Sequence, residues 1–125
     1  IETNFARVSP DATLGELVKV VATASRNIFP VVDEEGTFYG IVMLDNIRQI
    51  MFDQSIYDVT FVKDLLFMPD YSINPGDSMD SVIQLFQQSD RYNLPVLENG
   101  KYIGFISRAN VFSQYREMLK KFSDD

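Results

Sequence analysis

The sequence predicts a mixed α/β (α+β) fold built from two similar units, each with the element order strand, helix, strand, strand, helix. Three observations support this prediction. Prolines repeat at a fixed interval, because Pro10 and Pro75, like Pro30 and Pro95, are 65 residues apart. An amphipathic helical pattern follows the first proline of each repeat, and two strands with a turn between them follow each helix. A period of this kind indicates one structural unit written twice.

Each repeat opens with a short strand and a capped helix. The strands are predicted at residues 6–8 and 71–73, directly before Pro10 and Pro75. Thr13 with Glu16 has the spacing of a capping box, and Ser78 offers the equivalent hydroxyl to the second helix. Apolar residues then recur at i, i+3, i+4 and i+7, as Leu14, Leu17, Val18 and Val21 and as Met79, Val82, Ile83 and Phe86. That spacing predicts one buried face on each helix.

A hairpin and a second helix complete each repeat. Strands are predicted at residues 29–32 and 38–43 and again at 94–97 and 102–107, with DEEG and ENG as the turns. The acidic run in DEEG lacks the alternating oxygen ligands of a calcium loop, so a solvated turn is preferred. The closing helices are predicted from Ile47, Ile50 and Met51 and from Val111, Phe112, Tyr115, Met118, Leu119 and Phe122. The last four positions extend the apolar stripe and predict a contact with a second copy or with the linker.

Length decides how the repeats combine. A repeat of about 60 residues would expose one apolar sheet face if it stood alone, so we expect the two repeats to pack sheet to sheet about a pseudo-twofold axis. Repeat 1 is assigned to residues 1–58 and repeat 2 to residues 59–125, forming one compact module. The linker after Asp53 is apolar enough to pack rather than remain disordered.

Composition excludes several classes of function. The net charge is -7, which disfavours nucleic acid as a partner. With no cysteine and no histidine, the chain lacks disulfides, thiolate metal sites and the commonest general base. Paired carboxylates such as Asp45 with Asp64 or Asp90 have no spacing that holds them together. We therefore predict neither a catalytic residue nor a metal site.

These motifs resemble the paired cystathionine-β-synthase (CBS) domain, also called a Bateman module. The resemblance rests on the strands FPVV and NLPVL, on the strand ends GIVM and GFIS, and on VKDLL before the second repeat. It covers residues 5–120. It implies a regulatory, non-catalytic module that forms a homodimer through its helices. Cofactors are not required, and ATP, ADP or AMP is the candidate regulatory ligand.

The resemblance also implies two nucleotide clefts. The family signature, a Ser or Thr followed three residues later by Asp, is matched in part by GFISRAN. Ser107 would cap the last helix, Arg108 would reach a phosphate, and Asn110 replaces the ribose-binding Asp with a weaker acceptor. Wall residues of this cleft are implied to be Arg26, Asn27 and Ile28. Two simpler interpretations stay open: Arg26 closes the end of its helix, and Ser107 caps without a ligand.

The other cleft is expected to be degenerate. Met43 cannot cap a helix or bind phosphate, and Asn46 again replaces the Asp. Its wall would include Tyr92, as a stacking ring, and Asn93.

The segment FPVVDEEG…GIV most resembles the cytosolic tails of bacterial chloride channel and transporter proteins. This resemblance implies a covalently attached membrane domain and a location on the cytoplasmic side of the cell membrane. The alternative is a structural module that binds no ligand and only holds two subunits together.

Overall fold

The computed structural model describes residues 1–123, and it confirms the predicted mixed α and β fold with two small sheets. The elements are α1 (Leu14–Thr23), β1 (Ile28–Val32), β2 (Phe38–Met43), α2 (Leu44–Ile47), α3 (Met79–Ser89), β3 (Asn93–Glu98), β4 (Lys101–Ser107) and α4 (Arg108–Ser123). Two 3₁₀ turns, Gln54–Ile56 and Val62–Asp64, lie in the linker.

Both predicted helix caps are present. The Thr13 hydroxyl accepts the Glu16 N–H at 3.2 Å, and the Glu16 carboxylate accepts the Thr13 N–H at 3.2 Å. Ser78 accepts the N–H of Ser81 at 3.2 Å. These bonds satisfy backbone donors that the first turn of a helix leaves open. The predicted apolar face is also confirmed, because α1 buries Leu14 and Leu17 and α3 buries Val82, Ile83 and Phe86.

Each hairpin forms a two-stranded sheet that a short parallel segment extends. β1 and β2 are antiparallel neighbours, and β3 and β4 are neighbours in the second sheet. Val8 bridges to Val31 in parallel, and Ile73 bridges to Val96 in the same way. The predicted strands before each proline are therefore present as single bridges, again 65 residues apart.

A second extension of each sheet is not visible in the sequence pattern. Glu2 pairs with Phe105 of β4, and Phe67 pairs with Ile41 of β2, both antiparallel. Glycine permits both approaches. A Cβ on Gly104 would lie 2.6 Å from the Glu2 carbonyl oxygen, and one on Gly40 would lie 2.5 Å from that of Phe67. We call these single-residue extensions the edge segments.

The chain divides into two compact units. Among the described residues, the repeat-1 unit contains residues 4–69 and 100–102, and the repeat-2 unit contains residues 1–3, 70–99 and 103–123. Their cores use equivalent positions, namely Val8 and Ile73, Leu17 and Val82, Phe29 and Leu94, Val31 and Val96, and Ile47 and Val111. The linker up to Pro69 belongs to the repeat-1 unit, beyond the boundary assigned after residue 58, because Val62 is buried in that core.

The closing helix of repeat 1 is shorter than the sequence predicts. α2 has 4 residues and ends at Ile47, and Met43 makes no side-chain hydrogen bond at its start. Ile50 and Met51 follow in turns in which their N–H groups bond to the Ile47 carbonyl. A new 3₁₀ turn then begins at Asp53, whose side chain accepts the N–H of Ser55. In repeat 2, α4 continues for 16 residues.

Candidate functional site

Polar residues lie where β4 ends and α4 begins. The Ser107 hydroxyl accepts the N–H of Asn110 at 3.2 Å, so the predicted cap is present. α4 is long enough for its aligned peptide dipoles to give the N-terminus a partial positive charge. A capped helix N-terminus of this kind favours the binding of an anion.

The Asn110 side chain is held by the N-terminal edge segment. Its Nδ2 donates a hydrogen bond to the Glu2 carboxylate at 3.2 Å. A cavity of about 80 Å³ lies here, lined by Ile1, Glu2, Phe105, Ile106, Ser107, Asn110 and Gln114. Sequence reasoning missed Glu2 because nothing in the local pattern around it indicates a partner more than 100 residues away.

Arg108 points to a different set of neighbours. Its Nη1 donates to the Phe86 carbonyl oxygen at 3.1 Å, and its guanidinium carbon lies 5.6 Å from the centre of the Phe112 ring. The Arg108 side chain therefore satisfies a carbonyl in the last turn of α3. The phosphate role assigned to Arg108 stays a prediction beside this structural one.

Tyr92 shares a pocket with Arg108. An open cavity of about 470 Å³ is lined by Tyr92, Arg108, Ala109, Phe112 and Arg116. The Arg108 N–H also donates to the Tyr92 carbonyl oxygen at 2.8 Å. The sequence assigned these two residues to different clefts, whereas the repeat-2 unit brings them together. Phe112 and Arg116 were missed, although the four-residue spacing from Arg108 could have indicated a shared helix face.

The equivalent position in repeat 1 lacks the capped helix. Leu44 N–H donates to the Asn27 carbonyl oxygen at 2.9 Å, which repeats the backbone bond between Arg108 and Tyr92. The side-chain contacts of the two repeats differ at this position. Asn46 is exposed, and Asp45 is paired with Arg48 at 2.8 Å on the protein surface. With α2 only one turn long, the capped start of a long helix found in repeat 2 has no counterpart here.

The predicted wall residues lie around the start of β1. The Arg26 guanidinium carbon is 4.2 Å from the centre of the Phe5 ring, a cation–π contact. Ile28 is the first residue of β1, and Asn93 is the first residue of β3. Arg26, Asn27 and Ile28 belong to the repeat-1 unit, whereas Ser107, Arg108 and Asn110 belong to the repeat-2 unit. A cleft that combines the two groups stays a prediction.

The acidic hairpin turn uses its carboxylate within the turn. Asp33 Oδ1 accepts the N–H groups of Glu35 and Thr37 at 2.9 Å each, and Oδ2 accepts the Tyr39 hydroxyl at 3.0 Å. The bond from Thr37, followed by those from Tyr39 and Glu35, holds the pKa of Asp33 below its usual range. Across residues 1–123, no cluster of three or more acidic side chains is arranged to hold a metal ion.

Comparison with known proteins identifies the repeated unit. The model of the CBS domain family matches residues 1–53 and again residues 62–117. A CBS domain pair/ACT domain protein from Thermotoga maritima has a similar fold, with a TM-score of 0.72 and 23% identity over 95% of this chain and 94% of that one. No curated protein sequence matches the chain.

Two further solved structures are similar in fold. The CBS pair domain of a putative Mg²⁺ transporter from Shewanella oneidensis gives a TM-score of 0.74 and 16% identity, over 94% of this chain and 68% of that one. CBSX2, a protein of Arabidopsis thaliana solved in complex with AMP, gives a TM-score of 0.72 and 20% identity, over 92% and 90% of the two chains. Within residues 1–123, this chain has no helix that is both long and apolar enough to cross a membrane.

Proposed function

Because the chain belongs to the CBS domain family, with one copy in each repeat, we propose that it is the non-catalytic regulatory module of a larger membrane transport protein and that it senses an adenine nucleotide. Ligand binding would bias the module between two arrangements, which requires different affinities for the two. The soluble module would lie on the cytoplasmic side of the membrane, covalently attached to the membrane domain.

The observation that carries the nucleotide proposal is the difference between the two helix starts. Ser107 caps a helix of 16 residues, whereas Met43 precedes a helix of 4 residues and caps nothing. Phosphate is attracted by the positive end of the dipole of a long helix. The module therefore binds one nucleotide per chain, at the start of α4. The similar fold of CBSX2, which was solved with AMP, supports an adenine nucleotide as the ligand.

Calorimetric titration of the purified chain with AMP, ADP and ATP tests this proposal. The two repeats supply a matched pair of variants, because Asn46 and Asn110 occupy equivalent positions. We expect one site per chain, a loss of affinity of about tenfold or more in Asn110→Ala, and no change in Asn46→Ala. Absence of heat with all three nucleotides up to millimolar concentration would instead support the ligand-free module.

That second function, subunit association, has its own observation. Tyr115 packs against the repeat-2 core, but Met118, Leu119 and Phe122 on α4 are 44%, 51% and 76% exposed. An apolar surface on a helix is commonly covered by a partner, and we propose a second copy of this chain. Sedimentation equilibrium should show a dimer that Leu119→Glu weakens and the neighbouring Lys121→Glu does not. A monomer at all concentrations would exclude this role.

The most specific part of the proposal concerns the host, the larger membrane protein that would contain this module. The sequence of the strands and turn of repeat 1 favours a chloride channel or transporter, whereas the similar fold of the Shewanella domain favours a transporter of Mg²⁺. The coding sequence upstream of Ile1 distinguishes these hosts. We expect a series of hydrophobic helices of about 20 residues each, in a pattern typical of chloride channels. A soluble enzyme domain there would exclude both hosts.

A further inference from the structure

The segment after α2 packs on the start of α1 and satisfies its backbone donors. The Leu14 N–H donates to the Thr60 carbonyl oxygen at 2.7 Å. The Gly15 N–H donates to the Tyr57 carbonyl oxygen at 3.2 Å, and the Thr13 hydroxyl accepts the N–H that follows. Because these donors already have partners, the start of α1 does not offer the free N–H groups that attract phosphate.

A groove lies between α1 and this segment, and Tyr57 is fixed beside it. A Cβ on Gly15 would lie 3.3 Å from the Tyr57 Cβ, so the two residues are in close contact. The Tyr57 hydroxyl also donates to the Met51 carbonyl oxygen. We call this cavity of about 410 Å³ the α1–linker groove. Its lining includes Glu16, Val18, Lys19, Tyr57 and Asp58.

Exposed apolar side chains flank the α1–linker groove. Val59, two residues after Tyr57, is 71% exposed. Phe52 is 81% exposed and follows Met51, the residue that the Tyr57 hydroxyl contacts. Val18 and Tyr57 add apolar surface within the groove itself. Apolar side chains grouped around a preformed groove are typical of a surface that a partner covers.

The charge of the groove determines which partner it suits. Glu16 and Asp58 contribute two carboxylates, and Lys19 contributes one ammonium group. Within residues 1–123, no hydrogen bond or ion pair engages the Asp58 carboxylate. The whole chain has a net charge of -7, which disfavours an anionic lipid surface or another acidic chain at this groove. A cationic side chain would instead gain an ion pair.

We propose that the α1–linker groove docks a cationic segment of a partner protein, in which a Lys or Arg side chain is next to an apolar one. The aliphatic stem of the cation lies along Val18 and Tyr57, and its charged head pairs with Asp58. The apolar neighbour covers Val59. The groove shares no residue with the start of α4, so this inference does not depend on the nucleotide proposal.

Two synthetic peptides test the charge selectivity of the groove. Both have about 14 residues with leucine at i, i+3, i+4 and i+7; the remaining positions are lysine and arginine in one peptide and glutamate in the other. Fluorescence anisotropy with the purified chain should show binding of the cationic peptide alone. We expect Asp58→Asn to weaken this binding by about two- to fivefold, and Asp58→Asn combined with Val59→Ser by about tenfold.

Asp70→Asn is the matched control, because it removes the same charge from another exposed position, and it should change the affinity little. NMR spectra of the isotope-labelled chain show where the peptide binds, and the largest amide shifts should be at Val18, Asp58 and Val59. Asp58 and Val59 are both exposed, so the variants should unfold at the same urea concentration as the unchanged chain.

Several results would overturn the proposal. These are equal binding of the two peptides, no binding of either up to millimolar concentration, equal weakening by Asp70→Asn, and amide shifts centred on another surface. Binding to phosphatidylglycerol vesicles that Val59→Ser abolishes would identify a lipid surface as the partner instead. A dimer that Val59→Ser dissociates would identify a second copy.

Discussion

Replacing Gly104 with alanine should release the N-terminal edge segment from β4. The new methyl carbon would lie 2.6 Å from the Glu2 carbonyl oxygen and 2.7 Å from Ile1 Cγ2, both well inside van der Waals contact. Moving the edge segment away from β4 would relieve both contacts. Two backbone hydrogen bonds are then lost, those between Glu2 and Phe105.

The expected cost follows from those bonds. Each contributes about 0.5–1.5 kcal/mol net, so Gly104→Ala should lower the free energy of unfolding by about 1–3 kcal/mol. With an m-value of about 1–3 kcal/mol/M, the urea midpoint should fall by about 1 M. Hydrogen exchange at the Phe105 amide should also accelerate strongly, since its acceptor is removed.

Gly76→Ala is the matched control, because no atom lies within 4 Å of a Cβ built at that glycine. It should be neutral or stabilise by up to about 1 kcal/mol through the unfolded chain. Unchanged exchange at Phe105 together with an unchanged midpoint in Gly104→Ala would refute the close-approach argument. So would equal destabilisation by the two alanine variants.

Three other predictions test the folded core, a cap and a buried hydroxyl. Phe86→Ala should lower the free energy of unfolding by about 3–5 kcal/mol in a urea titration, because the ring is fully buried. As a control, Phe52→Ala should change the free energy of unfolding little, because Phe52 is 81% exposed. Thr13→Ala should cost about 1 kcal/mol through loss of the helix cap, and a Thr13→Ser variant that fails to retain most of this stability would contradict the capping role. Burial raises the pKa of Tyr102 from 10.0 to about 12. The tyrosine of the unfolded chain therefore ionises first as the pH rises, and the free energy of unfolding should fall by about 2 kcal/mol between pH 10 and 12. The fall should be smaller in Tyr102→Phe.

The helices and hairpins could be predicted because their determinants are local. Thr13 caps a helix whose apolar spacing lies in the next ten residues, and each hairpin has its turn and both strands within about 20 residues. The internal repeat strengthened each of these predictions, because the same pattern of caps, apolar positions and turns occurs in two segments of the chain. The closing helix of repeat 1 was overestimated, because Ile50 and Met51 have helical spacing but lie in turns in which both of their N–H groups bond to the Ile47 carbonyl.

The candidate site was predicted only in part for the same reason. Ser107 and Asn110 are three residues apart, so their capping bond is visible in the chain. The Glu2 contact is not, since it depends on an edge segment that joins residues more than 100 positions apart. Arg108 is predicted as a phosphate ligand from its position, but its guanidinium is bonded to the carbonyl of Phe86 on another helix.

The sequence by itself determined that one unit occurs twice, where its helices begin, which faces are apolar, and that histidine and cysteine chemistry is absent. Each of these follows from composition or from spacing within a few turns of chain. Only the tertiary structure decided which side chains surround the start of α4. Phe86 comes from another helix, and Glu2 comes from a sheet edge. The pairing of that edge depends on whether the two backbones can approach closely enough, and Gly104, which is 102 residues from Glu2 in the chain, permits the approach.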